Sequence, residues 1–203
     1  MEKVCDLEKE QKQRMALLNF RQNYWDANFR YENLQVIGDK NLIVHYKGIL
    51  SDGLWRSVFA KHPILLNNNS SDIFYYEISI KHMKNWLIFG FAVKQQTTLE
   101  RTIGYEKGTY AYESDGEIRI NGKRKERKRE YSYDVDDNVG IGVNSASRQI
   151  IFTKNGFLLG FSDFIVASSF DDDSFYPFVS LSSFGDQIGA NFGPNFKFDL
   201  ATL

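Results

Sequence analysis

At 203 residues the chain has room for one large domain, or for a domain with an extension. Its 42% hydrophobic and 25% charged residues are ordinary for a folded globular protein, and a net charge of −1 excludes a global field that steers the molecule to nucleic acid or membrane. A lone cysteine, Cys5, excludes an internal disulfide framework, a cysteine-rich zinc site and a RING or B-box within this sequence, and it favours a reducing place of action.

Residues 1–6 lead into no apolar run, so the start does not read as a signal peptide, and no later stretch is long and apolar enough to span a bilayer. Residues 5–22 are good helix formers without Gly or Pro, with Asp6 as a candidate N-cap and acid-first pairs Glu8–Lys12 and Glu10–Arg14. The apolar stripe of Leu7, Met15 and Leu18 is thin, which suits an extension lying against a larger body better than a partner-binding helix. After Trp25 the pattern changes to strands. Leu42, Val44 and Tyr46 alternate with Ile43, His45 and Lys47, and Phe74, Tyr76, Ile78 and Ile80 alternate with Tyr75, Glu77, Ser79 and Lys81. Between them, residues 68–71 hold two overlapping glycosylation sequons that read as a polar turn. Residues 86–93 are almost wholly apolar, which predicts a strand buried on both faces.

Residues 123–129 read KRKERKR, six basic side chains in seven. A nuclear-import signal or a nucleic-acid patch is one reading. The run lacks aromatics for base stacking and is diluted by Glu126 and Glu130, so a solvated loop between strands fits better. Residues 138–156 are the richest stretch. Val139, Ile141 and Val143 alternate with Gly140 and Gly142, giving one apolar strand face and one bare face that another layer can approach closely. Asn155-Gly156 supplies the two positive-φ residues of a type I′ hairpin. Gly140-Ile141-Gly142 lacks the third glycine and the helix of a dinucleotide loop. Asp171, Asp172 and Asp173 are adjacent, point in different directions, and read as a polar loop, not a calcium site. The 15% aromatic content, with 17 Phe and 11 Tyr, suits pleated half-buried surfaces. Many short strands with Gly- and Asn-bearing turns predict a β-sandwich.

Several phrases occur in the order seen in one family. NLIVHYKG at 41–48, SVFAKHPI at 57–64, IFYYEISI at 73–80, NWLIFGFAV at 85–93, IGYEKGTYAYESDG at 103–116 and the glycine strands at 138–156 together resemble SPRY domains of the Ran-binding-protein-M type. The resemblance covers about residues 23–200 and implies an all-β, two-sheet antiparallel sandwich preceded by a helical extension over residues 1–22. QNYWDANFRYENLQV at 22–36 and ANFGPNFKFD at 190–199 further resemble the secreted SPRY effectors of plant-parasitic cyst nematodes. That likeness implies a non-catalytic module, secreted by the parasite as a trimmed mature form. It would act as a monomer in the host cytoplasm or nucleus and bind immune receptors or their regulators. The alternatives are an endogenous cytoplasmic adaptor of the Ran-binding-M type and, from another class, a glycan-binding or glycan-cleaving sandwich. No nucleic acid, membrane, metal or cofactor is implied.

No nucleophile motif or grouped histidines appear; His45, His62 and His82 are scattered. Glu77 and Glu106 are the acids beside aromatic strand ends that invite a glycosidase pair. The resemblance places partner binding on loops at one end of the sandwich. Tyr105 matches the family's tyrosine after glycine, and Ser183 and Phe184 match its hydrophobic–Trp pair before Gly185. The first contact loop matches residues 48–55 and lacks the family's Arg-x-Pro feature. The predicted contact residues are Tyr46, Lys47, Asp52, Trp55, Tyr105, Lys107, Ser183, Phe184 and Asp186. Trp55, Tyr105, Tyr110, Tyr112 and Phe184 are expected to form one aromatic platform rimmed by Lys47, Asp52, Lys107 and Asp186, with Tyr110 and Tyr112 placed equally well in the core.

Overall fold

A computed structural model describes residues 23–48, 55–64, 73–94, 97, 99, 102–163 and 175–203. The expected helix over 5–22, Asp52, the sequons and the Asp171–Asp173 run lie outside these residues.

The strands follow the alternations in the sequence. In chain order they are β1 (Trp25–Arg30), β2 (Leu34–Ile37), β3 (Ile43–Tyr46), β4 (Arg56–Ala60), β5 (Ile73–His82), β6 (Leu87–Val93) and β7 (Thr109–Glu113). They continue with β8 (Glu117–Ile120), β9 (Lys123–Arg127), β10 (Asn138–Asn144), β11 (Gln149–Lys154), β12 (Phe157–Asp163), β13 (Phe175–Leu181) and β14 (Gln187–Asn191). One sheet runs β1-β4-β13-β6-β7-β8-β9 and the other β12-β11-β10-β5-β14-β3-β2, with every pairing antiparallel. The predicted two-sheet antiparallel sandwich is the observed fold.

The core fills the space between the sheets. Val139, Ile141 and Val143 of β10 face Leu87, Phe89 and Phe91 of β6 within one buried cluster. Each such side chain contributes roughly 1.5–3 kcal/mol by leaving water. Tyr76 is fully buried, and its hydroxyl reaches across the gap to the carbonyls of Gly90 (2.8 Å) and Phe178 (3.1 Å), which satisfies its one polar atom. Tyr110 and Tyr112 are core residues with no exposed surface. They leave the aromatic platform because inward alternation on β7 points both into the sandwich.

The bare face of β10 is the outer face of its sheet. Tyr75 alternates outward and lies across it: a Cβ at Gly140 would stand 2.1 Å from the Tyr75 hydroxyl. Phe196 packs edge-on to the Tyr75 ring at 4.9 Å and Phe198 lies at 6.0 Å. The Glu77 carboxylate accepts the N–H groups of Lys197 and Phe198, each at 2.9 Å, and the Tyr75 hydroxyl at 3.0 Å. The layer that the glycines admit is therefore the C-terminal segment of the same chain. Glu77 is filled by these donors and is 1% exposed, so it anchors that segment and is not placed for glycosidase chemistry.

Two further expectations are corrected. The basic run is not a loop: Lys123–Arg127 forms β9, an edge strand. Arg124 pairs with Glu117 at 2.6 Å and Arg127 with Asp115 at 2.7 Å, so acids of the β8 hairpin neutralise part of the run and hold it extended. Trp86 lies just before β6 and is 46% exposed, unlike the seven buried residues of that strand.

Candidate functional site

Sheet register brings several connections to one end of the sandwich. Tyr46, His82 and Asn138 end or begin their strands there in one sheet, and Arg56, Leu87, Leu181 and Glu113 do so in the other. The links β5–β6 and β13–β14 cross between the sheets at this end. They are built around a buried carboxylate. Asp186 has no exposed surface, and its oxygens accept the N–H groups of Lys84 (2.9 Å) and Ser183 (2.8 Å). Burial pushes its carboxyl above the ordinary carboxylate value, against the pull of these donors. Gly185 has φ +91°, a conformation that side chains rarely adopt, and it lets the turn close so that Asp186 N–H reaches Ser183 O at 3.0 Å.

Further bonds brace the two links. The Ser182 hydroxyl accepts from Trp86 N (3.0 Å) and donates to Trp86 O (2.6 Å), and the Asn85 amide donates to Ser183 Oγ (2.8 Å). Tyr46 joins through its backbone, donating to Asp186 O and accepting from Gly185 N. What this frame leaves outside is apolar: Trp86 is 46% exposed and Phe184 44%, with the Lys84 ammonium 5.6 Å above the Phe184 ring.

Tyr105 is the third half-exposed aromatic, and it rests on the outer face of the other sheet. Its hydroxyl donates to Glu113 at 2.9 Å, and the Arg119 guanidinium lies 3.4 Å from its ring centroid. Arg119 is itself held by Glu117 and, at 3.8 Å, by Glu113. Burial, then the neighbouring Glu113 charge, pushes the Tyr105 hydroxyl up to about 12. Burial also raises the Glu113 carboxyl. Trp55 is half-buried against the small cluster on the same outer face, which includes Phe59, Ile88 and Phe178.

The predicted contact residues thus divide. Trp55, Tyr105 and Phe184 offer apolar surface; Lys47 is exposed just after β3 at the loop end, while Lys107 is exposed beside the β8–β9 turn at the opposite end. Tyr46, Ser183 and Asp186 have no exposed surface. Their side chains are corrected from contact groups to framework: backbone donors of the turns hold the Asp186 carboxylate, the Asn85 amide holds the Ser183 hydroxyl, and the Tyr46 ring is part of the inter-sheet core. No ring contact joins Tyr105 and Phe184 among the described residues; each is paired instead with its own cation, Arg119 and Lys84. Trp86, Lys84 and Arg119 are missing from the sequence-based set. The signal for Trp86 is its position one residue before the strand, beside the polar pair Lys84-Asn85. Phe157, 74% exposed at the tip of the β11–β12 hairpin, lies at the same end of the sandwich but on the edge strand β12, outside the braced links.

A sequence profile for the SPRY domain matches residues 73–195. The chain belongs to the SPRY-domain family. This SPRY domain is 31% identical over 166 residues to Ran-binding protein 9 of Xenopus tropicalis, covering 79% of this chain and 28% of that protein. It is 29% identical over 180 residues to Ran-binding protein 10 of Danio rerio, covering 87% of this chain and 28% of that protein. The SPRY domain therefore spans little more than a quarter of the length of these relatives. Its fold matches the crystal structure of a human SPRY domain with a TM-score of 0.60 at 23% identity, covering 81% of this chain and 98% of that one. The SPRY domain of human HERC1 gives the same TM-score at 15% identity, covering 82% of this chain and 96% of that one.

Proposed function

We propose that this chain is a non-catalytic protein-recognition module of the Ran-binding-protein type, working as an adaptor that docks partner polypeptides on its braced loop end. The carrying observation is the exposure of Trp86 and Phe184 on a backbone frame fixed by Asp186 and Ser182, with Tyr105 held half-exposed on the outer face of the neighbouring sheet by Glu113 and Arg119. Aromatic side chains with few rotatable bonds, held in place before binding, lose little entropy when a partner covers them. Recognition surfaces concentrate their energy in a few such residues. The relatives named as Ran-binding proteins support a protein-interaction role, and a cytoplasmic place of action is part of the same proposal. Substituting Tyr105→Ala and Phe184→Ala, with circular dichroism to confirm folding, tests the surface by pull-down. Loss of partner capture by both folded variants supports it, and normal capture by both refutes it.

A second reading, delivery into plant hosts to act on immune proteins, rests on the likeness of residues 190–199 to cyst-nematode effectors. Phe192 of that phrase lies in the core, and Phe198 covers Tyr75. The phrase thus has a folding task, and it supports kinship of fold more than a shared partner. Recovery of one specific immune receptor from host tissue by affinity purification would favour this reading; binding to conserved intracellular proteins alone would remove it.

A further inference from the structure

A cleft of about 410 Å³ opens beside Trp86, and its walls include Met83, Trp86, Asp115, Asp134, Asp137 and Lys154. Its charge is uneven: three carboxylates face one ammonium. Lys154 is already committed, to Ser132 O and to Asp137 at 3.4 Å. The Asp137 carboxyl is partly buried, yet hydrogen bonds from Asn155 and Asp134 N–H, together with Lys154, hold it below the ordinary value, so it stays charged at neutral pH. Asp134 is exposed; one of its oxygens accepts Val135 N–H at 2.7 Å, and the other has no partner among the described residues. The rim shows the chemistry that suits these walls. Arg127, half-exposed on β9, sets its guanidinium 2.7 Å from Asp115.

We infer that this cleft receives an arginine side chain of the bound polypeptide, with the guanidinium against Trp86 and its N–H groups directed to Asp134. The assignment rests on the recognition surface proposed above and names the chemistry of one partner residue. A planar guanidinium fits both requirements: it stacks on an aromatic face and donates in a fork to carboxylates. The volume holds one long side chain, and the apolar wall of Met83 and Trp86 covers its methylene stem. An acidic side chain is excluded by like charge.

The test uses acetyl-Gly-Arg-Gly-amide, with the citrulline and glutamate tripeptides as controls, titrated into the full chain and followed by ¹⁵N NMR. Citrulline keeps the shape and removes the charge. The arginine peptide is expected to shift the Trp86 indole N–H and the Asp134 amide, and to bind about tenfold more tightly than citrulline. Asp134→Asn, an exposed substitution that leaves the fold intact, is expected to abolish that preference. Equal binding of arginine and citrulline, shifts that avoid Trp86, or an unchanged preference in Asp134→Asn would each overturn the assignment. Phe184→Ala separates the two claims. If it weakens capture of the protein partner while the tripeptide ignores the cleft, the recognition surface stands and the arginine site falls. If the tripeptide binds as expected while Phe184→Ala captures partners normally, the arginine site stands and the surface is misplaced.

Discussion

Two of the regions where aromatic side chains gather outside the inter-sheet core are finished differently. On the back of the sheet that contains β10, Tyr75 lies on bare glycine backbone, Phe196 and Phe198 cover its ring, and Glu77 takes up the N–H groups of the covering segment. At the loop end, Trp86 is fixed through its own backbone and Phe184 through the backbones of its neighbours Ser183 and Gly185, yet close to half of each side chain stays in water. Aromatic content is therefore a poor guide to a contact surface. The telling combination is rigid support with unfinished burial.

Gly140→Val attacks the closed region and carries the largest expected effect. The added Cβ would meet the Tyr75 hydroxyl at 2.1 Å and Thr153 Oγ1 at 2.5 Å, between rings that have no free side to move into. A loss of about 3 kcal/mol in urea unfolding is expected. Next comes Glu77→Ala, which strips the acceptor from Lys197 N, Phe198 N and the Tyr75 hydroxyl. It should cost about 2 kcal/mol and speed amide exchange selectively over the C-terminal segment. An unchanged exchange rate there would mean that the segment is held by its phenylalanines alone.

The open region should behave in the opposite sense. Trp86→Ala and Phe184→Ala are expected to change stability by no more than about 0.5 kcal/mol, since each removes half-exposed surface. Partner binding, in contrast, should fall by about tenfold or more in surface plasmon resonance. The smallest effect concerns pH. Asp137 is held below the ordinary carboxylate value of 3.8 in the folded chain, so it stabilises the fold above that value, and the contribution is lost as pH falls through the folded value. The difference in Tm between the native chain and Asp137→Asn should be largest at neutral pH and should shrink below pH 3.8.

Much of the fold was legible because it follows from period and turn chemistry. The alternation in β5, the glycines of β10 and the Asn155-Gly156 turn, with φ of 54° and 84°, each appear where the residues place them. The basic strand β9 was not legible, because an edge strand charged on both faces has no alternation to read. The site was legible only in part. Tyr105 and Phe184 are exposed as expected. Asp186 and Ser183 look like surface residues in a sequence, yet the distant β5–β6 link draws them inside, with Lys84 N–H donating to the Asp186 carboxylate and the Asn85 amide to the Ser183 hydroxyl. Trp86 looks like the start of a buried strand, and only the crossing between sheets turns it outward. Which polar group finds a partner is decided by tertiary proximity, not by local pattern.

The account rests on the braced β5–β6 and β13–β14 links, and not exposed aromatic surface in general, being where other proteins dock. A photo-cross-linking residue placed in turn at position 184 and at position 157 puts this to the test, since Phe157 is the more exposed of the two at 74% against 44%. In cell extract, position 184 should capture a discrete partner band that Trp86→Ala removes, while position 157 captures none. Capture from position 157 with silence at 184 would contradict the account.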